Sequence, residues 1–247
     1  MHIWGQSMIT AALHLDGFAM RLYFYLEGSY MKTNTKRLTE SAMLLALAIV
    51  LELVSKAFIP EMPFGGQVTL VSMLPVVLIS YRYGVKWGLV SGLCYALMEM
   101  VLGAKTVAGA FQPGTFGDGV LLLNALLMCV LDYLLAFTVL GLGGCLRNRI
   151  HNGSAALACG TLVALSCRYV CHILSGYILY GSWAEWFFTQ EGFPAWGSAL
   201  VSSLSPKVLA LVYSVVYNGM YMVPEILLTT LAALFLARVP GILRKAD

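Results

Sequence analysis

Long apolar runs, separated by short basic, glycine-rich or aromatic stretches, fill this chain from about residue 39 to residue 238. Runs of that length and hydropathy predict membrane-spanning helices. Spans are expected at about 41–59, 67–82, 85–103, 120–144, 155–181 and 200–237. The predicted fold class is therefore all-α, a polytopic six-transmembrane-helix bundle. The second span is short for a full crossing, so it is either tilted or begins below the surface. The last is long, and Pro206 and Pro224 are placed to end or kink it.

Composition supports the same class. Of 247 residues, 60% are hydrophobic and 11% charged, against about 25% charged in a soluble domain. Little chain is left for a separate soluble domain, and no nucleic-acid partner is expected. The six cysteines fall in or beside apolar stretches without zinc-ligand spacing, and act as small core residues. Charge then sets the orientation. Lys32, Lys36 and Arg37 precede the first span; Arg82 and Lys86 separate the second and third. Arg147 and Arg149 follow the fourth, and Arg238, Arg244 and Lys245 follow the last. By the positive-inside rule both termini are cytoplasmic. Residues 181–198 hold no Lys or Arg, face outward and are rich in Trp and Phe, which suits an interfacial belt or a lid, the belt being preferred. Residues 1–30 are expected to be a non-native or disordered extension, with translation starting at Met31 and a single membrane domain over 31–247.

The chemistry lies in the few polar residues within the spans. Asp132 sits in the apolar run 121–142, where an acid costs about 2.5–3.5 kcal/mol and needs a partner or a purpose. Glu52, Glu99 and Glu225 are the other acids in or near spans. In the fifth span Arg168, His172, Gly176 and Tyr180 recur every four residues, along one helical face. Gly176 removes bulk there, so a flat group has room to approach; close helix packing is the rival explanation. In the last span Tyr213, Tyr217 and Tyr221 repeat the spacing, with Asn218 on an adjacent face. Such a set suits a small aromatic cation, with carboxylate for charge and rings for stacking. Arg168 paired directly with Asp132 is the structural alternative, which would leave Glu99 as the counter-ion. No metal site is expected, and the P-loop, dinucleotide fingerprint and hydrolase elbow are absent.

Taken in order, the stretches GQVTLVSMLPVVLISYRYG, GLVSGLCYALMEMVLG, LDYLLAF with GLGG, RYVCHILSG and YSVVYNG make the chain resemble the thiamine-specific S component of energy-coupling factor (ECF) vitamin transporters. The resemblance covers about residues 39–238. It implies a six-helix bundle with an outward-facing pocket, closed by the loop between the first two spans. It places substrate-binding roles on Asp132, Tyr133, His172, Gly176, Tyr180, Tyr213 and Asn218, with Glu99 a second acid. Tyr180 stands where a stacking Trp is expected, residues 105–119 form a longer connection than expected, and the first loop lacks an expected Trp. Small residues Ala42 and Ala46 are implied to dock the coupling subunit.

The function so implied is thiamine binding at the extracellular side for ATP-driven uptake, without catalysis or a cofactor in this chain. The expected partners are thiamine or a related small aromatic cation, an ECF transmembrane coupling subunit, two ABC-type ATPase subunits and the bilayer of a bacterial plasma membrane. Alternatives are an S component for another vitamin or a thiamine precursor such as hydroxymethylpyrimidine, and an intramembrane enzyme or accessory membrane protein.

Overall fold

The computed structural model describes residues 34–63, 65–116 and 121–244; the expectation for residues 1–30 lies outside them. The chain divides into two units, residues 1–43 and 44–247. In the first, the described residues open a helix, with a Lys36–Glu40 pair at 3.9 Å that is exposed on the Lys36 side and adds little stability.

Regular structure among the described residues is helical. Helix α1 spans Asn34–Phe58, α2 Leu74–Tyr83, α3 Val85–Leu102 and α4 Ala104–Ala110. Helix α5 spans Leu121–Gly144, α6 Gly153–Leu179, α7 Ala184–Thr189, α8 Trp196–Ser203 and α9 Pro206–Leu236. Five of these (α1, α3, α5, α6 and α9) are long and apolar enough to cross a membrane. The sixth expected span is α2, whose 10 residues reach only about 15 Å at 1.5 Å per residue. Its helix begins at Leu74, not 67, because the preceding segment is held extended by side chains. Leu70 N–H donates to Ser55 Oγ at 2.7 Å, and Thr69 N–H donates to Glu225 Oε2 at 2.6 Å.

Helix α2 is a buried plug, with Leu74 through Tyr81 shielded by its neighbours. The GLGG run at the end of α5 explains how so short a helix is enclosed. Ser80 Oγ donates to the Gly141 carbonyl and accepts the Gly144 N–H at 2.9 Å. A Cβ at Gly160 of α6 would strike the Gly143 carbonyl. Small residues thus let helix backbones meet, the usual packing device where lipid supplies no hydrophobic drive between helices.

Three further boundaries differ from expectation. Residues 200–203 belong to α8, and α9 starts at Pro206, whose fixed φ suits a first helical turn. Pro224 neither ends α9 nor interrupts it. The connection after α3 is itself helical over α4, so part of the long 105–119 stretch is ordered helix.

Candidate functional site

Within the second unit, α3, α5, α6, α9, the end of α1 and the loop before α2 enclose a cavity of about 930 Å³, open mouth included. Its walls bring together all eight residues expected from sequence: Glu99, Asp132, Tyr133, His172, Gly176, Tyr180, Tyr213 and Asn218.

Asp132 and Tyr133 are adjacent in sequence, yet both line the cavity. The reason is local: residues Cys129–Leu135 form a π-helical turn inside α5. Its i→i+5 step aligns Met128 with Tyr133 and Asp132 with Phe137, all four on the wall. Such bulges recur at functional sites.

Asp132 faces α6. Its Oδ1 lies 2.8 Å from His172 Nδ1, and Oδ2 accepts the Ser175 hydroxyl at 2.5 Å. This is not a nucleophile relay, because Ser175 donates to the carboxylate and not to the imidazole. The far ring nitrogen, His172 Nε2, is buried with no hydrogen-bond partner among the described residues. No ion pair joins Asp132 to Arg168 among the described residues. The Arg168 guanidinium lies 4.4 Å over the Phe137 ring, and Nη1 donates to Met73 Sδ. A cation over an aromatic face is held by the ring quadrupole.

Gly176 and Asn218 serve packing as well as the wall. A Cβ on Gly176 would strike Ser214 Oγ and lie 3.0 Å from Asn218 Nδ2, so the small residue admits α9. Asn218 donates to the Ser214 carbonyl at 2.9 Å and the His172 carbonyl at 3.2 Å, and accepts Tyr221 OH at 2.7 Å. One acceptor lone pair is left over.

Tyr217, Tyr221, Ser175, Glu52, Lys56 and Glu61 also line the cavity and were missing from the sequence-derived set. The four-residue spacing of the tyrosines carried a signal for the first two. Lys56, four residues after Glu52 at the end of a span, carried another. Lys56 Nζ is 3.6 Å from Glu52 and 3.9 Å from Glu99. Among the described residues no group of three or more His, Cys, Asp or Glu could hold a metal ion.

The loop between α1 and α2 covers the tyrosine wall. Tyr217 OH donates to the Gly65 carbonyl at 3.2 Å. Gly66, at φ +92°, lies so close to the Tyr221 ring that a Cβ would enter it; only glycine meets both demands. The aromatic segment 181–198 lines none of the cavity. Its Phe187 and Phe188 pack with Tyr213, Tyr217 and Tyr221 from outside, while Trp186 and Trp196 remain exposed. It buttresses the wall and presents Trp at its surface, as an interfacial belt does.

Comparison with known proteins agrees with this architecture. The family model described as thiamine transporter protein matches residues 38–113 and 115–243. Thiamine transporter ThiT of Bacillus subtilis (strain 168) is 29% identical over 220 residues, covering 85% of this chain and 95% of that protein. A solved structure of ThiT from Listeria monocytogenes shares the fold at a TM-score of 0.57 and 18% identity, over 85% of this chain and 98% of that one. The chain belongs to the thiamine transporter protein family, a family of multi-pass membrane transporters and not of enzymes.

Proposed function

We propose that this chain binds thiamine in the cavity between α3, α5, α6 and α9, as the substrate-binding subunit of an ECF-type transporter. One observation carries the reading: acids from three helices and the first loop, and tyrosines from α5, α9 and the end of α6, converge on one space. The wall holds four carboxylates (Glu52, Glu61, Glu99 and Asp132) against two fixed cations, Lys56 and Arg168. An excess of negative charge in an aromatic site favours a flat cation through Coulomb attraction and cation–π contact. Tyr133, Tyr180 and Tyr213 supply ring faces, and His172 Nε2 and the spare Asn218 acceptor supply polar contacts.

The mouth faces the extracellular side in this reading, with both termini cytoplasmic by the charge bias of the loops. ATP hydrolysis comes from two separate ATPase subunits through a transmembrane coupling subunit. Ala42 and Ala46, both exposed on α1, are its proposed contact, where small side chains allow close helix approach.

Titration of the purified protein with thiamine, followed by tryptophan fluorescence, tests the reading. Trp183 is a suitable reporter because its indole N–H reaches the Thr115 carbonyl at 3.2 Å and it packs beside the tyrosine wall. Saturation at micromolar thiamine or below is expected; saturation only at millimolar thiamine rejects it. Competition with hydroxymethylpyrimidine, thiamine phosphate and riboflavin separates thiamine from its precursors and from other vitamins.

A further inference from the structure

The connection from α3 to α5 has no part in the thiamine reading, yet it meets two tyrosines of the cavity wall. Its described residues, 103–116, include α4. At the α3–α4 junction a Cβ on Gly103 would strike the Tyr133 hydroxyl. Just beyond, the Thr106 hydroxyl lies beside that of Tyr133. Thr106 also meets the first loop, where a Cβ on Gly65 would lie 3.5 Å from its Cγ2. At the far end of the connection the Phe116 ring stands 5.3 Å from the Tyr180 ring at 69°, edge to face. Phe116 is 7% exposed and lines none of the cavity, so it supports Tyr180 from behind the wall. This end is tied down on both sides. Trp183 Nε1 donates to the Thr115 carbonyl at 3.2 Å, and the Thr115 hydroxyl donates to the Gly109 carbonyl at 2.9 Å. Phe116 itself packs in one apolar cluster with Ala110 of α4, Met128 of α5 and Leu179 of α6.

A ring that is free to turn must be ordered when a ligand packs on it, and that lost freedom weakens binding. A ring already held by its neighbours has given up the freedom beforehand. An edge-to-face pair does this well, because the positive edge of one ring meets the negative face of the other. A hydroxyl beside a phenol does the same for the polar end of a tyrosine. We infer that residues 103–116 are a brace that sets thiamine affinity, with Phe116 and Thr106 as positioning residues that act through Tyr180 and Tyr133. The inference rests on the thiamine reading and deepens it. One connection preorganises two rings that belong to different helices, Tyr133 on α5 and Tyr180 at the end of α6.

The test is a pair of double-mutant cycles read by calorimetric titration with thiamine, with Tm measured alongside. Phe116→Leu keeps an apolar side chain and removes the ring edge. It is expected to weaken thiamine binding about threefold to tenfold, the worth of an edge-to-face pair. In a Tyr180→Leu background the same substitution is expected to change affinity by less than about twofold, because the ring through which it acts is gone. Thr106→Val keeps the branched shape and removes the hydroxyl. It is expected to weaken binding about threefold, with no further loss in a Tyr133→Phe background. A residue that only supports the fold would lower Tm and affinity alike, whether or not its tyrosine is present. The Thr106 cycle decides the matter should Phe116→Leu fail to fold. The inference is overturned if either cycle shows the same loss with and without its tyrosine, or if either substitution leaves binding by the otherwise unaltered protein unchanged. Failure of the unaltered protein to bind thiamine would instead remove the underlying reading.

Discussion

Glu225 and Glu99 are both buried glutamates in apolar helices, 0% and 3% exposed, yet they serve opposite ends. Glu225 of α9 has three donors around it and clamps the extended segment before α2 through Thr69. Glu99 of α3 lines the cavity, with Lys56 at 3.9 Å, the Tyr95 hydroxyl beside it and, among the described residues, no close hydrogen-bond donor to Oε1. The same side chain ties two segments together where three donors surround it, and lines a cavity where its partners are fewer. A membrane interior sharpens the demand on Glu225, which is 0% exposed and must find its partners within the protein.

The largest expected effect tests the clamp. Glu225→Ala leaves the Thr69 N–H and two hydroxyls without their acceptor and should cost about 2–4 kcal/mol of stability, read as a lower Tm in detergent with or without thiamine. An unchanged Tm would break the comparison. Next, Gly176→Ala drives a Cβ against Ser214 and Asn218 and should cost about 1–3 kcal/mol through overpacking between α6 and α9. Loss of thiamine binding with no loss of Tm would assign Gly176 to the ligand instead. Asp132→Asn should weaken thiamine binding by about tenfold, roughly the worth of one charged hydrogen bond, while circular dichroism stays helical. Unchanged affinity would show that orienting His172 contributes nothing. The smallest effect belongs to Glu99→Gln measured as stability. Removing a buried charge held only by the Lys56 ammonium at 3.9 Å and the Tyr95 hydroxyl beside it should leave Tm unchanged or raise it by the equivalent of up to about 1 kcal/mol. A large drop would make Glu99 a second structural acid and erase its difference from Glu225.

Much of this was legible in the residues. Asp132 stood out because an acid in an apolar span demands an explanation, and the four-residue steps through His172 and Tyr180, or Tyr213 and Tyr217, marked the faces that line the cavity. The extended start of the second span and the helicity of 104–110 were not legible. The first depends on Ser55 and Glu225, which reach the loop before α2 from 15 and 156 residues away. The aromatic segment 181–198 invited two readings because aromatic residues suit both a lid and a belt; only its packing against the outside of the tyrosine wall separates them.

The sequence by itself determined that the chain is a bundle of lipid-embedded helices, which residues are costly there, and, through the order of its motifs, the family. Those properties are local: hydropathy over about twenty residues fixes a span, and spacing fixes a helical face. Tertiary structure alone decided that Asp132 turns to His172 and Ser175, that Arg168 lies over Phe137, and that Glu99 sits beside Lys56. Spacing gives the face of one helix, but not the rotation of its neighbour or the residue opposite. In a membrane interior, that opposite residue decides whether a buried charge joins two segments, as Glu225 does, or lies on a cavity wall, as Asp132 and Glu99 do.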